Sequence, residues 1–187
     1  MDNTVVVCFG DSNTYGYDPR GYWGGRYAAD SRWPDLLASK NGWTVVNEGM
    51  NGRIIPRTAI SFPPDTDLLI VMLGTNDLLQ GASPKHTAEA MEHFLQSLSI
   101  SASQILLLAP PRLCLGTWVP DQTLINSSAA LSELYRTLAK RLGTMFFDVG
   151  CCDTPLAYDG VHLTEESHRF LGENISLYIN ERITYDK

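Results

Sequence analysis

The chain has 187 residues, of which 44% are hydrophobic and 19% charged, a composition of folded globular proteins and not of disordered ones. Fourteen Lys and Arg stand against 21 Asp and Glu, a net charge of −7. That balance argues against a sequence-independent nucleic-acid binder, which needs surplus cations to displace phosphate counterions, and against an anionic membrane surface as partner.

The length fits one domain spanning residues 1–187. The chain begins with no basic segment, and residues 4–9 (TVVVCF) read as a first strand and not as a signal peptide. A cytoplasmic location is therefore expected. A shorter helix is predicted from Trp33 to Ser39, and a second strand over residues 43–46. Residues 67–73 (DLLIVML), 104–109 (QILLLA) and 145–149 supply three more strands. The first, third and fourth of these five runs are apolar on consecutive residues, the pattern of strands buried on both faces of a parallel sheet.

Helical spacing connects Ala88, Met91, Leu95 and Leu98, then Leu124, Ser128, Leu131, Tyr135, Leu138 and Leu142. It returns at Leu171, Ile175, Tyr178 and Arg182, with Thr164 placed to cap the start. Strands alternating with helices predict right-handed crossovers and an α/β fold, a three-layer α/β/α sandwich around a central parallel sheet of about five strands. In such sheets ligands bind beyond the carboxyl ends of the strands, near a switch in strand order.

The segments at the carboxyl ends of the strands are therefore informative. Gly10-Asp11-Ser12-Asn13 comes after the first, Asn47-Glu48-Gly49-Met50-Asn51-Gly52-Arg53 after the second, and Gly74-Thr75-Asn76-Asp77 after the third. Asp159-Gly160-Val161-His162 comes after the fifth and just before the last helix. These four segments resemble the signature blocks of the GDSL/SGNH hydrolase superfamily, in its order and over residues 5–168. One departure is Asn13, where the family's name has Leu.

The chemistry of these residue types is coherent. A serine hydroxyl attacks well only when a base removes its proton. His162 can be that base near neutral pH, and Asp159 can hold the other ring N–H and stabilise the imidazolium. The G-x-S-x-G elbow of α/β-hydrolases is absent, because Thr14 stands two residues after Ser12. The resemblance implies an oxyanion hole made by the backbone N–H groups of Ser12 and Gly52 and by the Asn76 amide, with Gly49 as rival to Gly52. It also implies a small-molecule ester substrate: short-acyl, aryl or acetylated-sugar esters, or lysophospholipids. No metal or organic cofactor is required. A thioesterase or carbohydrate deacetylase would use the same site. From a different class, a flavodoxin-like phosphate- or nucleotide-binding module would explain the architecture, but not Asp159 and His162.

Other residues receive plainer expectations. Asp11 should brace its loop and Asp77 should be a turn residue bracing Asn76. Arg53 should find a surface salt bridge. His86, His93 and His168 should be solvated helix residues. The aromatic, Gly-rich stretch 15–33 lies directly after Ser12; Tyr15 and Trp23 there, with Trp118 from the 110–120 loop, are candidate substrate contacts. The first stretch could equally be a loop packed on its own aromatics, and the second could mediate homo-oligomer contacts. Cys8, Cys114, Cys151 and Cys152 lack metal-binding spacing and read as reduced thiols, Cys8 as a small buried apolar residue.

Overall fold

A computed structural model describes residues 4–21, 25–152 and 154–185. In chain order the elements are β1 (Val5–Gly10), α1 (Ser12–Tyr15), β2 (Tyr17–Asp18), β3 (Gly25–Arg26), α2 (Trp33–Asn41), β4 (Thr44–Gly49), β5 (Leu68–Met72), α3 (Thr75–Leu79), α4 (Pro84–Gln96), β6 (Ile105–Ala109), α5 (Gln122–Leu142), β7 (Met145–Asp148) and α6 (Glu165–Tyr185). Five strands form one parallel sheet in the order β4-β1-β5-β6-β7. The short β2 and β3 pair antiparallel apart from it.

Alternation along the strands builds the two outer layers. Val7, Phe9, Leu69, Val71, Leu73, Ile105 and Leu107 face α4 and α5, meeting Met91, Phe94, Leu131 and Tyr135. Val6, Cys8, Ile70, Met72, Leu106 and Leu108 face α2 and α6, meeting Trp33, Leu37, Leu171 and Ile175. Every residue of β5 and β6 is buried, as expected of strands covered on both sides. β4 lies at the sheet edge and is only partly buried. This explains its extent: the strand runs to Gly49, three residues beyond the apolar run, because Asn47, Glu48 and Gly49 stay in register with Cys8, Phe9 and Gly10. Polar side chains are tolerated where one strand flank is open.

Strand order reverses around β1, since the chain passes from β1 out to β4 and then returns to β5 on the other side. Gly10 pairs with both Gly49 and Met72, so three strands end at one level. The segments beyond those ends share one rim.

His168 departs from expectation. It is fully buried on α6, three residues before Leu171 and seven before Ile175, on the face that packs against the sheet. Among the described residues neither ring nitrogen has a hydrogen-bond partner, and the ring meets Tyr27 edge-on at 5.3 Å. Burial, followed by the nearby His162 and Arg32, pushes its pKa down to about 3. An unfolded His binds its proton near pH 6.5, so between about pH 6.5 and pH 3 the unfolded state holds a proton the native state refuses. Stability from this residue is complete above that window and falls as pH drops through it. His168→Phe should therefore flatten the acid limb of the stability curve, by on the order of 3 kcal/mol at pH 4. Denaturant unfolding at pH 7.5 and pH 4 checks this; an unchanged difference between the two would contradict it. His86 and His93 are exposed on α4, as expected.

Candidate active site

Ser12 is the first residue of the one-turn helix α1. The Asp11 carboxylate accepts from Asn13 N at 2.9 Å, and Gly16, at φ 88°, closes the turn by donating to Ser12 O. Ser12 Oγ lies 2.9 Å from His162 Nε2, and His162 Nδ1 lies 2.7 Å from Asp159 Oδ2. All three side chains are buried. The second Asp159 oxygen accepts the backbone N–H groups of Val161 (2.9 Å) and His162 (3.0 Å). Burial alone would raise the Asp159 carboxyl, but the His162 ring and these two N–H groups outweigh it and hold it below the ordinary carboxylate range. Asp159 therefore stays ionised and keeps the Nδ1 proton on the ring.

Asn13, the residue where this chain departs from the family name, clasps the two halves of the site together. Its Nδ2 donates to Val161 O (3.1 Å) and its Oδ1 accepts from Leu163 N (2.8 Å), one contact on either side of His162. Trp33 Nε1 donates to Asn13 O at 2.9 Å. A buried side-chain amide with one donor and one acceptor engaged in this way sets the backbone that carries His162.

The candidate oxyanion donors differ in availability. Gly49 N is committed to Asn47 Oδ1 at 2.9 Å. The backbone of Tyr15 also passes so close that a Cβ on Gly49 would fall 2.1 Å from Tyr15 N, which accounts for glycine there. Gly52 sits in a turn at φ 74° with open space around it, and neither its N–H nor that of Ser12 has an acceptor among the described residues. Asn76 Nδ2 donates to Arg53 O at 3.1 Å and lies 3.5 Å from Asp11 Oδ2, a weak contact. Asp11 is buried, and burial pushes its carboxyl up to about 6 against the opposing Asn13 N–H, His162 and Arg53.

The expectations for Asp77 and Arg53 are corrected. Asp77 lies in α3 and receives Ile55 N at 3.3–3.4 Å, so it holds the segment after Gly52 and not Asn76. Among the described residues Arg53 forms no surface salt bridge. It donates to the carbonyls of Gly10 and Glu48 and lies over Phe9.

Of the aromatic candidates, Trp118 stands edge-on to the His162 ring at 5.3 Å and is half exposed. Tyr15 is stacked under Arg26, 4.4 Å from ring centroid to guanidinium. Trp23 lies outside the described residues. Tyr17, two residues beyond Tyr15, meets His162 at 4.6 Å; only its place in the aromatic stretch hinted at it. In the 110–120 loop, Leu113 and Val119 are buried with Val161, while Leu115 and Trp118 are exposed. That loop is fastened to the Asp159 segment by Thr117 N to Tyr158 O (3.2 Å) and Trp118 N to Asp159 O (3.0 Å). No disulfide joins the cysteines among the described residues, and Cys8 is buried. Among the described residues no cluster of three His, Cys, Asp or Glu is placed to hold a metal ion, and no helix is long and apolar enough to cross a membrane.

No curated protein matches the sequence. The fold is similar to that of an aryl esterase from M. smegmatis, with 27% identity, a TM-score of 0.78, and coverage of 95% of this chain and 99% of that one. It is similar also to a carbohydrate acetylesterase from Sinorhizobium meliloti at 26% identity and TM-score 0.77, covering 96% and 99% of the two chains. A carbohydrate acetylesterase family member from the same organism gives 28% and 0.80, covering 95% and 98%. Residues 8–170 match the model of the GDSL-like Lipase/Acylhydrolase family. With that match over most of its length and the sheet topology of those esterases, the chain belongs to the GDSL-like lipase/acylhydrolase family and is a carboxylic ester hydrolase.

Proposed function

We propose that the protein hydrolyses small carboxylic esters through an acyl-enzyme on Ser12. The observation that carries this reading is the unbroken hydrogen-bonded line from Ser12 Oγ through the His162 ring to Asp159, 2.9 and 2.7 Å in its two steps. In the first half-reaction His162 Nε2 takes the Ser12 proton as Oγ attacks the ester carbonyl. Charge moves to the carbonyl oxygen, which receives the N–H groups of Ser12 and Gly52 and the Asn76 amide. Collapse of the tetrahedral intermediate expels the alkoxide, which takes the proton back from His162, and the acyl group stays on Oγ. Water enters, gives its proton to His162 and attacks the acyl carbon. As the acyl–Oγ bond breaks and the acid leaves, His162 returns that proton to Oγ and restores the Ser12 hydroxyl. Asp159 remains ionised throughout and stabilises the imidazolium. Each oxyanion donor contributes about 2.7–4 kcal/mol to the transition state.

Aryl or acetylated-sugar esters are the substrate class this reading favours. The described activities of the aryl esterase and carbohydrate acetylesterase neighbours support it. Tyr17 and Trp118 beside His162 support it further, since flat aromatic faces take an aryl or pyranose leaving group. The nucleotide-binding alternative fares badly, because Asp11, Asp77 and Asp159 gather acidic groups where a phosphate would sit. We place the reaction in a reducing cytoplasm, with no nucleic-acid or membrane partner; cysteines that form no disulfide among the described residues are consistent with that setting.

A fluorophosphonate should label the protein once, at Ser12, with parallel loss of p-nitrophenyl acetate turnover. A panel of phenyl esters and acetylated sugars of graded acyl length then ranks the substrates, with acetyl first. No labelling, together with thermal stabilisation by nucleotides, would overturn the proposal.

A further inference from the structure

Arg53 ties together three of the segments that meet at this rim, yet among the described residues it forms no ion pair with a carboxylate. Its Nη1 donates to Gly10 O at the end of β1 (3.0 Å) and to Glu48 O near the end of β4. The flat face of the guanidinium rests on Phe9, 4.1 Å from the ring centroid. Its backbone closes the turn that contains Gly52, with Arg53 N donating to Met50 O and Met50 N to Gly10 O, both at 3.1 Å. Its own carbonyl receives the Asn76 side chain at 3.1 Å. Side chain and main chain of one residue thus touch the strand before Ser12, the turn of Gly52 and the amide of Asn76.

We infer that Arg53 is a positioning residue of the oxyanion hole: its guanidinium pins the 50–53 turn to two strand ends, and its carbonyl aims the Asn76 amide. The inference rests on the acyl-enzyme reading of the site. Arginine suits this place because the two N–H bonds of one terminal nitrogen can hold two carbonyls while the delocalised cation lies over an aromatic ring. Lysine offers one compact charge and cannot do both. Preset donors are effective only where the oxyanion forms, and a displacement of about 1 Å can cost about 100-fold in rate. The cation also faces the buried carboxyl of Asp11, which it helps to keep ionised.

The test compares Arg53→Lys and Arg53→Met with the natural chain, using p-nitrophenyl acetate. Active sites are counted by stoichiometric fluorophosphonate labelling, so that kcat refers to labelled sites only. A trifluoromethyl ketone, whose tetrahedral adduct places an oxyanion in the hole, supplies a second readout through its Ki. Arg53→Met should lower kcat per labelled site by about 30- to 100-fold, with KM within about 3-fold and the ketone Ki raised by a factor close to the kcat loss. Arg53→Lys should fold, keep the charge, and still lose about 10-fold. A residue that only maintains the fold would lower the labelled fraction and leave turnover per labelled site unchanged. Overturning results are a kcat per site within about 3-fold of the natural chain in Arg53→Lys, or a loss confined to KM. If Arg53→Met does not fold, Arg53→Lys decides alone. Absence of labelling at Ser12 in the natural chain would overturn the acyl-enzyme reading itself, and this inference with it.

Discussion

Asp159→Asn is expected to lower kcat on p-nitrophenyl acetate by about 10⁴-fold, the scale set by a histidine locked in the wrong tautomer. The local hydrogen bonding forces this outcome. Oδ1 of Asp159 receives two backbone N–H groups, from Val161 and His162. An asparagine here must keep its carbonyl oxygen on those donors, because turning its NH₂ toward them would leave two buried N–H groups facing a third donor. The amide NH₂ then points at His162 Nδ1, which has to become an acceptor. Nε2 consequently carries the ring proton, directed at Ser12 Oγ, and cannot receive the hydroxyl proton. The backbone contacts survive, so thermal stability should change little at neutral pH. Steady-state kinetics and a melting curve on the same sample check both halves. A loss below about 10-fold would show that Asp159 does not set the tautomer.

Asn13→Leu, a change to the residue in the family's name, is expected to destabilise the protein by about 2–5 kcal/mol and to lower kcat as well. Leucine approximates the volume but removes one donor and one acceptor. Val161 O and Leu163 N are then left buried without partners, each costing about 1–3 kcal/mol. For a chain of this size that corresponds to a fall in Tm of roughly 5–15 °C. The activity loss arises because those two groups flank His162; once released, the backbone no longer holds Nε2 within reach of Ser12 Oγ. Asn13→Asp keeps the acceptor and loses the donor, so it should fall between the two. Melting curves read the stability, and kcat measured well below the melting temperature reads the geometry. Equal stability of Asn13→Leu and the natural chain would contradict the argument.

Much of the architecture is legible in the order of residues alone. Consecutive apolar residues at 68–72 and 105–109 can only be satisfied by burial on both faces, and both segments are fully buried strands. Ser128, Leu131, Tyr135 and Leu138 recur at helical spacing, and all lie on the buried face of α5. Ser12, Asp159 and His162 stand out because four motif blocks resemble those of the GDSL/SGNH family in their order, and general-base chemistry makes that set of residue types coherent.

Where sequence reasoning errs, the cause is a contact made across long separations. In the sequence Asn13 is only a departure from the family's name, but its partners are 148 and 150 residues away. Arg53 looks like a surface cation, since nothing in its neighbourhood announces that two strand-end carbonyls and Phe9 will converge on it. His168 is the exception, a miss with an available signal: it shares the buried face of Leu171 and Ile175, and its polar identity masks that spacing.

The sequence by itself determined the layered α/β architecture, because periodicity acts locally along the chain, and the four motif blocks that resemble the GDSL/SGNH family marked the chemical types beyond the strand ends. Only the tertiary structure decided which glycine N–H is open, which tyrosine meets His162 and which side chains hold Ser12 and His162 together. Those outcomes depend on the register in which Gly10 meets Gly49 and Met72, and register arises from the packing of the whole sheet and not from any one segment.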